Sequence, residues 1–195
     1  LYSGNTPALL VPAPEQGTGK GTLIGVILTI VEGNVPTCAF PSDDELRKTI
    51  YSYALEGRRF VNFDNLKDGS TLSSPHLEAL ITSSVVEQRN LHANTVGSPP
   101  NHLQILASGN NIGLSRDMAR RTLVVRLDTG EEHPENRSGF EIPNLLPWVA
   151  ANRSSLVAHC LTILRAYVCA GFPAQGVGPF GSFESWAVTV GGAVM

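Results

Sequence analysis

Residues Ala13 to Thr22 read APEQGTGKGT and lie between an apolar run and a segment with helical periodicity. The run Ala8 to Val11 predicts a strand, and Lys20 to Val31 predicts a helix that Gly33 closes. Glycines in such a turn let backbone amides face inward, where the helix N-terminus adds the positive end of its dipole. The stretch therefore predicts a loop that binds a chain of phosphates, with Lys20 as a point charge on it.

The loop departs from the pattern GxxxxGK[ST] at two positions. Pro14 stands where the first glycine is expected, and Gly21 stands where a hydroxyl should follow the lysine. Thr22 comes one residue late, so its hydroxyl is our candidate ligand for Mg²⁺ from this loop. The candidate nucleotide-binding residues are Gln16, Gly17, Thr18, Gly19, Lys20, Gly21 and Thr22.

Strand and helix signals alternate along the rest of the chain. A capping box over Ser42–Glu45 predicts a helix that ends at Gly57, and Ser74-Pro75 predicts a short helix. Further strands are predicted at Val35–Phe40, Arg59–Asp64, Leu103–Ala107 and Leu123–Leu127, with a hairpin over Val85–Val96. This order predicts an α/β fold with a parallel sheet covered by helices on both faces.

Three regions are expected in the chain. Residues 1–128 would form the α/β core, residues 129–143 an exposed acidic connector, and residues 144–195 a helical region. Leu145 to Ala170 predicts a helix interrupted near Asn152, and a last short helix is expected around Trp186. The chain begins without an initiator methionine, and we expect it to be a piece of a longer protein.

Composition excludes several function classes. A net charge of −3 does not fit a protein that coats nucleic acid with its whole surface, so any DNA contact must be local. The apolar run Leu23 to Val31 is too short to span a bilayer, which predicts no membrane partner. Cys38, Cys160 and Cys169 lack metal-ligand spacing and are expected to be reduced core residues of a cytoplasmic protein.

Asp64 ends the predicted strand RFVNFD and is the second candidate ligand for Mg²⁺. An apolar strand that delivers a carboxylate downstream of a phosphate loop has the form of a Walker B strand; the alternative is that Asp64 only caps the next turn. Asn65 follows it, where a glutamate that activates water is usual. Either another carboxylate (Asp68, Glu78 or Glu15) serves as the base, or hydrolysis is slow.

Two further groups carry candidate catalytic residues. Asn110 follows a predicted strand and could orient the attacking water, and the alternative is a turn that asparagine side chains stabilise. Arg120 and Arg121 precede the last strand, where a guanidinium could reach a neighbouring subunit's nucleotide as an arginine finger. Arg116 is a third candidate for that role, and the alternative for all three is a solvated basic edge.

In this order the motifs resemble those of the AAA+ ATPases. More narrowly, the chain is similar to the helicase-type ATPase domain at the C-terminal end of primase-helicase proteins of phages, plasmids and integrated mobile elements. The strings that carry the resemblance cover nearly the whole chain: EQGTGKG, DDELRK, FDNL, LEALITS, LASGNN, DMARRTLVVRLD, PENRSGF, LLPWV and GSFESW.

The resemblance implies ATP and Mg²⁺ as cofactors and ATP-driven unwinding of DNA, or helicase loading, by a ring, in the replication of a mobile element. It implies a homo-oligomer, a hexamer, with single-stranded DNA in the pore and a primase region as partner. The predicted hairpin would then contact DNA phosphates through Arg89 and His92, although an ordinary structural hairpin is equally compatible. Two other functions stay open: a nucleotide-dependent interaction module with weak or no hydrolysis, and a small-molecule kinase.

Overall fold

The computed structural model describes residue 2 and residues 4–89, 95–131 and 133–194. Its strands are β1 (Ala8–Ala13), β2 (Phe60–Leu66), β3 (Thr71–Leu72), β4 (Gln88–Arg89), β5 (Val96–Gly97), β6 (Gln104–Asn110), β7 (Gly113–Leu114) and β8 (Thr122–Val124). Its helices are α1 (Lys20–Val31), α2 (Asp43–Leu55), α3 (Pro75–Thr82), α4 (Arg116–Ala119), α5 (Leu145–Ala151), α6 (Arg153–Cys169), α7 (Glu184–Trp186) and α8 (Gly192–Val194), with a 3₁₀ helix at Pro134–Asn136 and a π-helical turn at Ala187–Gly191.

The central sheet has the strand order β2-β6-β1-β8, and each neighbouring pair is parallel. Successive residues of a strand face opposite sides of a sheet. Val11 of β1 accordingly packs with Ile24 and Leu28 of α1. Leu10 joins a larger cluster on the other face, which includes residues of α2 and α3. The predicted α/β fold, a parallel sheet with helices on both faces, is confirmed.

Helix α1 has the predicted bounds, and local backbone chemistry explains both ends. Gly19 precedes the helix with a φ of 92°, a conformation that favours glycine. At the other end, the amide of Gly33 donates to the carbonyls of Leu28 and Thr29 at 3.2 and 3.1 Å. Gly33 also has a positive φ, so it ends the helix in the left-handed conformation common at helix C-termini.

Two local predictions on the segment after α1 are wrong. Residues 35–40 form no strand but only one bridge, Cys38 to Phe63, because Pro36 and Pro41 flank it and have no amide to donate. The capping box does not form either, although α2 begins at Asp43 as expected. The carboxylate of Glu45 pairs instead with Lys48 at 2.6 Å.

The helical C-terminal stretch packs on the core at two places. Leu146 of α5 lies against Gly25 of α1, and the guanidinium of Arg153 donates to the carbonyls of Thr29 and Val31 at the end of that helix. Phe183 is buried in the cluster on the opposite face. The predicted break falls at Asn152, between α5 and α6, and the short helix at Trp186 is also present.

The prediction that the three cysteines are core residues is wrong. Cys38 is half-buried, and Cys160 and Cys169 are exposed. The last two lie on α6, of whose residues only Tyr167 is buried. The helical pattern alone could not show that this helix leaves most of its surface uncovered. In the part of the chain that the structure describes, no helix is both long and apolar enough to cross a membrane.

Candidate functional site

The glycine-rich loop joins the carboxyl end of β1 to the first residue of α1. Gly17 and Gly19 have φ values of 72° and 92°, which bend the backbone tightly before the helix. Gln16, Gly21 and Thr22 are exposed, and Thr18 is half-buried. The seven predicted nucleotide-binding residues therefore form the end of this turn and the first three residues of a twelve-residue helix. That end of a helix is favourable for anions.

Lys20 is held against its own loop. Its ammonium donates to the carbonyl of Glu15 at 2.9 Å and to the hydroxyl of Thr18 at 3.2 Å. Burial lowers the pKa of Lys20, and the nearby carboxylates of Asp64 and Glu15 partly oppose that shift. β1 and β2 both pair in parallel with β6, so the loop after β1 and Asp64, near the carboxyl end of β2, lie at the same end of the sheet. The fold thus brings to one end of the sheet two residues that the sequence places on separate elements.

Asp64 does not end its strand as predicted, because β2 continues to Leu66. The register with β6 shifts between Phe63 and Leu66, so Asp64 lies in a β-bulge. Its Oδ1 accepts a hydrogen bond from the hydroxyl of Ser108 at 2.5 Å and another from the amide of Asn65 at 2.9 Å. Among the described residues, no hydrogen bond to the other carboxylate oxygen, Oδ2, is present.

The two asparagines at the carboxyl end of β6, Asn110 and Asn111, have different surroundings. Asn110 is the last residue of β6, and its side-chain oxygen is buried without a hydrogen-bond partner among the described residues. Asn111 donates from its side-chain amide to the carbonyl of Pro14 at 3.3 Å and to Asp68 at 3.1 Å. Asn111 thus connects the phosphate loop to the segment after β2, a role that the sequence did not indicate.

The three carboxylates considered as the base in place of Asn65 are those of Asp68, Glu78 and Glu15, and these three residues have different hydrogen-bond partners. Asp68 is the one that Asn111 connects to the start of the loop. The carboxylate of Glu78 accepts a hydrogen bond from Ser115, on the turn before α4. Glu15 is exposed and meets Lys20 through its backbone carbonyl.

The arginine pair lies at the opposite edge of the sheet from the loop. The amide of Ala8, at the start of β1, donates to the carbonyl of Arg121, and β8 runs parallel to β1. The guanidinium of Arg121 donates to the carbonyl of Glu78 and, at 3.1 Å, to the hydroxyl of Thr82. Arg120 is exposed and pairs with Asp117. Both arginines therefore lie at the end of the sheet that is opposite the glycine-rich loop of their own chain.

The predicted hairpin is present where the structure describes it. β4 and β5 pair antiparallel, with Arg89 opposite Val96. Arg89 is exposed, and His92 lies outside the described residues. The predicted contact of these two residues with nucleic acid stays a prediction.

The stretch 129–143 is not wholly solvated. Its 3₁₀ helix contains buried Pro134, and Glu135 lies directly against Gly17. A Cβ atom at Gly17 would come within 2.7 Å of the backbone nitrogen and Cβ of Glu135. The predicted connector therefore covers one side of the phosphate loop. Sequence offered no signal for this contact beyond the glycine itself.

The donor set at the loop suits magnesium. Asp64 offers one carboxylate oxygen and Thr22 one exposed hydroxyl, both oxygen ligands. No group of three histidine, cysteine or acidic side chains that could hold a metal occurs within the described ranges. Mg²⁺ is typically bound by one or two carboxylates together with substrate phosphates and water. The residues present fit that mode of binding and do not form a cage of protein ligands.

Ser108 is another site residue that sequence reasoning missed. It is 1% exposed and buries a hydroxyl in the middle of β6, directly after three apolar residues. A buried hydroxyl needs a partner, and the bulge carrying Asp64 supplies one. The signal in the sequence was a serine inside the run QILASGN.

Comparisons with known proteins support the fold only. No model of a protein family matches the chain, and no curated protein does. The apo A-form structure of the NrS-1 C-terminal region, residues 305–718, matches with a TM-score of 0.50 and 18% identity. The match covers 78% of this chain and 35% of that one, so this chain spans about a third of its length. A second apo A-form structure of the same region matches with a TM-score of 0.48 and 15% identity over 77% of this chain and 35% of that one.

Proposed function

We propose that this chain binds ATP with magnesium through residues 13–22 and hydrolyses it. One observation carries the proposal: Lys20, at the start of α1 after the glycine turn, and Asp64, near the carboxyl end of β2, lie at the same end of the parallel sheet. A phosphate loop needs a cation and an inward-facing backbone, and magnesium needs a carboxylate beside them. The cation and the carboxylate at this end of the sheet support the proposal.

Each residue has a role in this proposal. The backbone amides of the glycine turn would surround the phosphates, and Lys20 would leave the carbonyl of Glu15 to bind the β- and γ-phosphate oxygens. Asp64 and the hydroxyl of Thr22 would hold Mg²⁺, which when bound neutralises charge on the phosphates. Asn110, with its buried side-chain oxygen unsatisfied, would accept a hydrogen bond from the attacking water.

Asp68 is the carboxylate that we propose as the general base. Asn65, in the usual position of that base, is an amide and cannot take a proton. Asp68 is tied through Asn111 to the start of the phosphate loop, whereas Glu78 is engaged by Ser115.

Assembly would complete the site. Because the phosphate loop and the arginines lie at opposite edges of the parallel sheet, head-to-tail contact between copies would bring them together. A guanidinium supplied this way contributes about 10³ to 10⁵ in rate. Leu161 and Val168, seven residues apart on one face of α6, are 59% and 39% exposed, an apolar surface of the kind that partner subunits cover. We propose a ring, with a hexamer as the specific expectation.

The finer proposal, a DNA-translocating motor in the replication of a mobile element, rests on the motif resemblance together with the shared fold. The β4–β5 hairpin would carry the DNA contact through Arg89 and His92. A nucleotide-dependent module with weak hydrolysis is the second candidate, and Asn65 favours it. No described feature favours a small-molecule kinase.

Steady-state ATP turnover with and without single-stranded DNA tests these functions against one another. The motor predicts magnesium-dependent turnover that DNA stimulates and that Asp64→Ala abolishes, while magnesium-independent ATP binding partly survives. Asp44→Ala, an exposed carboxylate on α2, is the matched control. ATP binding without turnover would favour the module, and normal hydrolysis by Asp64→Ala would contradict the assignment of β2 as the Walker B strand.

A further inference from the structure

The geometry of the bulge assigns a role to Ser108: we propose that it is a positioning residue, which fixes the carboxylate of Asp64 so that one oxygen faces the magnesium site. This inference rests on the proposed function of the loop. It adds Ser108, on β6, to the two elements that we propose bind the nucleotide and its magnesium, which are the glycine-rich loop and β2.

Strand pairing explains why Asp64 needs such a partner. Phe63 pairs with Ala107 and Leu66 pairs with Gly109, so Asp64 and Asn65 together stand opposite Ser108 alone. Two residues facing one are a β-bulge, which interrupts the ladder and redirects a side chain. Asn65 has a φ of 56°, in the left-handed region. Regular strand geometry therefore does not set the direction of Asp64, and a side-chain contact can.

Among the described residues, both hydrogen bonds to the carboxylate of Asp64 are on the same oxygen. Ser108 and the amide of Asn65 both donate to Oδ1, at 2.5 and 2.9 Å. The carboxylate is thus held at Oδ1, which leaves Oδ2 as the oxygen for a metal. Ser108 is 1% exposed, so water cannot readily replace its hydroxyl as the donor.

Partners of metal ligands commonly act in this way. They orient the ligand, and their loss typically weakens metal affinity about 10- to 100-fold. Removing the Ser108 hydroxyl should therefore weaken the response to magnesium and leave the glycine turn and Lys20 intact. A serine that only fills space in the strand would have no such selective effect.

The experiment is calorimetric titration of ATP into the 195-residue chain, in excess EDTA and at a series of magnesium concentrations. Ser108→Ala should raise the magnesium concentration needed for tight ATP binding about 10- to 100-fold, and affinity in EDTA should stay within about two-fold of wild type. Ser108→Cys, a similar volume with a weak donor, should lose the response as well. Ser108→Thr keeps the hydroxyl and should restore it.

Thr122→Val is the matched control. Thr122 buries a hydroxyl on β8 that has no hydrogen-bond partner among the described residues, so its loss should leave the magnesium response unchanged. A wild-type magnesium response in Ser108→Ala and Ser108→Cys would overturn the role of Ser108 while leaving the proposed function intact. A wild-type chain that does not bind ATP at all would overturn both.

Discussion

The side-chain amide of Asn111 donates a hydrogen bond to the backbone carbonyl of Pro14 at 3.3 Å, although the two residues lie on different connections of the sheet. Pro14 stands where phosphate loops of this pattern have glycine. The backbone amide of Asn111 also donates to the carbonyl of Ala13 at 3.0 Å. The start of the loop is therefore held by the residue that directly follows β6.

Asn111→Ala should weaken ATP binding. The substitution removes the side-chain hydrogen bonds to Pro14 and Asp68, each contributing about 0.5 to 1.5 kcal/mol, so the dissociation constant should rise by about 5- to 150-fold if both bonds support the ATP-binding form of the loop. Calorimetry measures this directly. Asn34→Ala, at an exposed asparagine on the loop after α1, is the matched control. Equal affinities of the two variants would contradict the bracing role of Asn111.

Gly17→Ala should destabilise the fold and impair ATP binding together. The methyl group would meet the backbone of Glu135 at 2.7 Å, and a φ of 72° is strained for alanine by about 1 to 3 kcal/mol. Gly21→Ala is the control for stability, since open space surrounds a Cβ atom there and alanine favours the helix. Urea unfolding compares the two. If Gly17→Ala were as stable as wild type, the close contact between Gly17 and Glu135 would be contradicted.

Local chemistry explains what the sequence predicted well. The bounds of α1, the break at Asn152 and the start of the short helix α3 at Pro75 follow from caps, glycines and prolines within a few residues. The parallel sheet followed from alternating strand and helix signals. The predicted strand at 35–40 is wrong because Pro36 and Pro41 limit its pairing with β2 to one bridge, an effect that the apolar pattern of the segment does not show.

The parts of the candidate site that were missed depend on distant contacts. Ser108 meets Asp64, Asn111 meets Pro14, and Glu135 covers Gly17, each across a long stretch of chain. No pattern in the sequence links such pairs. The hydrogen bonds of Arg121 to Glu78 and Thr82 could not be predicted for the same reason. Because they engage Arg121 within its own chain, we expect Arg120 or Arg116 to act as the arginine finger.

The arginines should separate into structural and catalytic roles. Arg121→Ala loses hydrogen bonds from a charged donor, so unfolding free energy should fall by about 1 to 3 kcal/mol. Arg120 forms only an exposed ion pair, of low energetic value, and Arg116 has no described partner, so Arg120→Ala and Arg116→Ala should fold normally. At least one of these two should lower turnover without lowering ATP affinity.

Mixing measures whether that arginine acts across an interface. Titrating the inactive variant into wild type at fixed total protein should reduce activity more than in proportion, and specific activity should rise with protein concentration. Arg165→Ala, at an exposed arginine on α6, is the control. A strictly proportional loss, with specific activity independent of concentration, would mean that the site is complete within one chain.

ATP binding should weaken as pH rises through the lowered pKa of Lys20, because phosphate requires the charged amine. Burial lowers that pKa from 10.5, so the loss begins below the range of an exposed lysine. The sign for folding is opposite: the unfolded chain holds this proton more tightly, so the contribution of Lys20 to stability increases with pH between the two pKa values. Calorimetry of wild type from pH 7 to 10 measures the first effect. If the ATP affinity of Lys20→Ala depended on pH as strongly as that of wild type, the effect would belong to another group.

The most direct test of the phosphate site is ATP affinity of Lys20→Ala beside wild type, measured by calorimetry in magnesium at neutral pH. Lys20 is the cation that α1 and the glycine turn place at the loop, and Thr18 and Glu15 hold its ammonium there. We expect wild type to bind ATP and Lys20→Ala to bind it at least about ten-fold more weakly, a difference of about 1.4 kcal/mol. Equal affinity of the two chains, or no binding by wild type, would contradict the account.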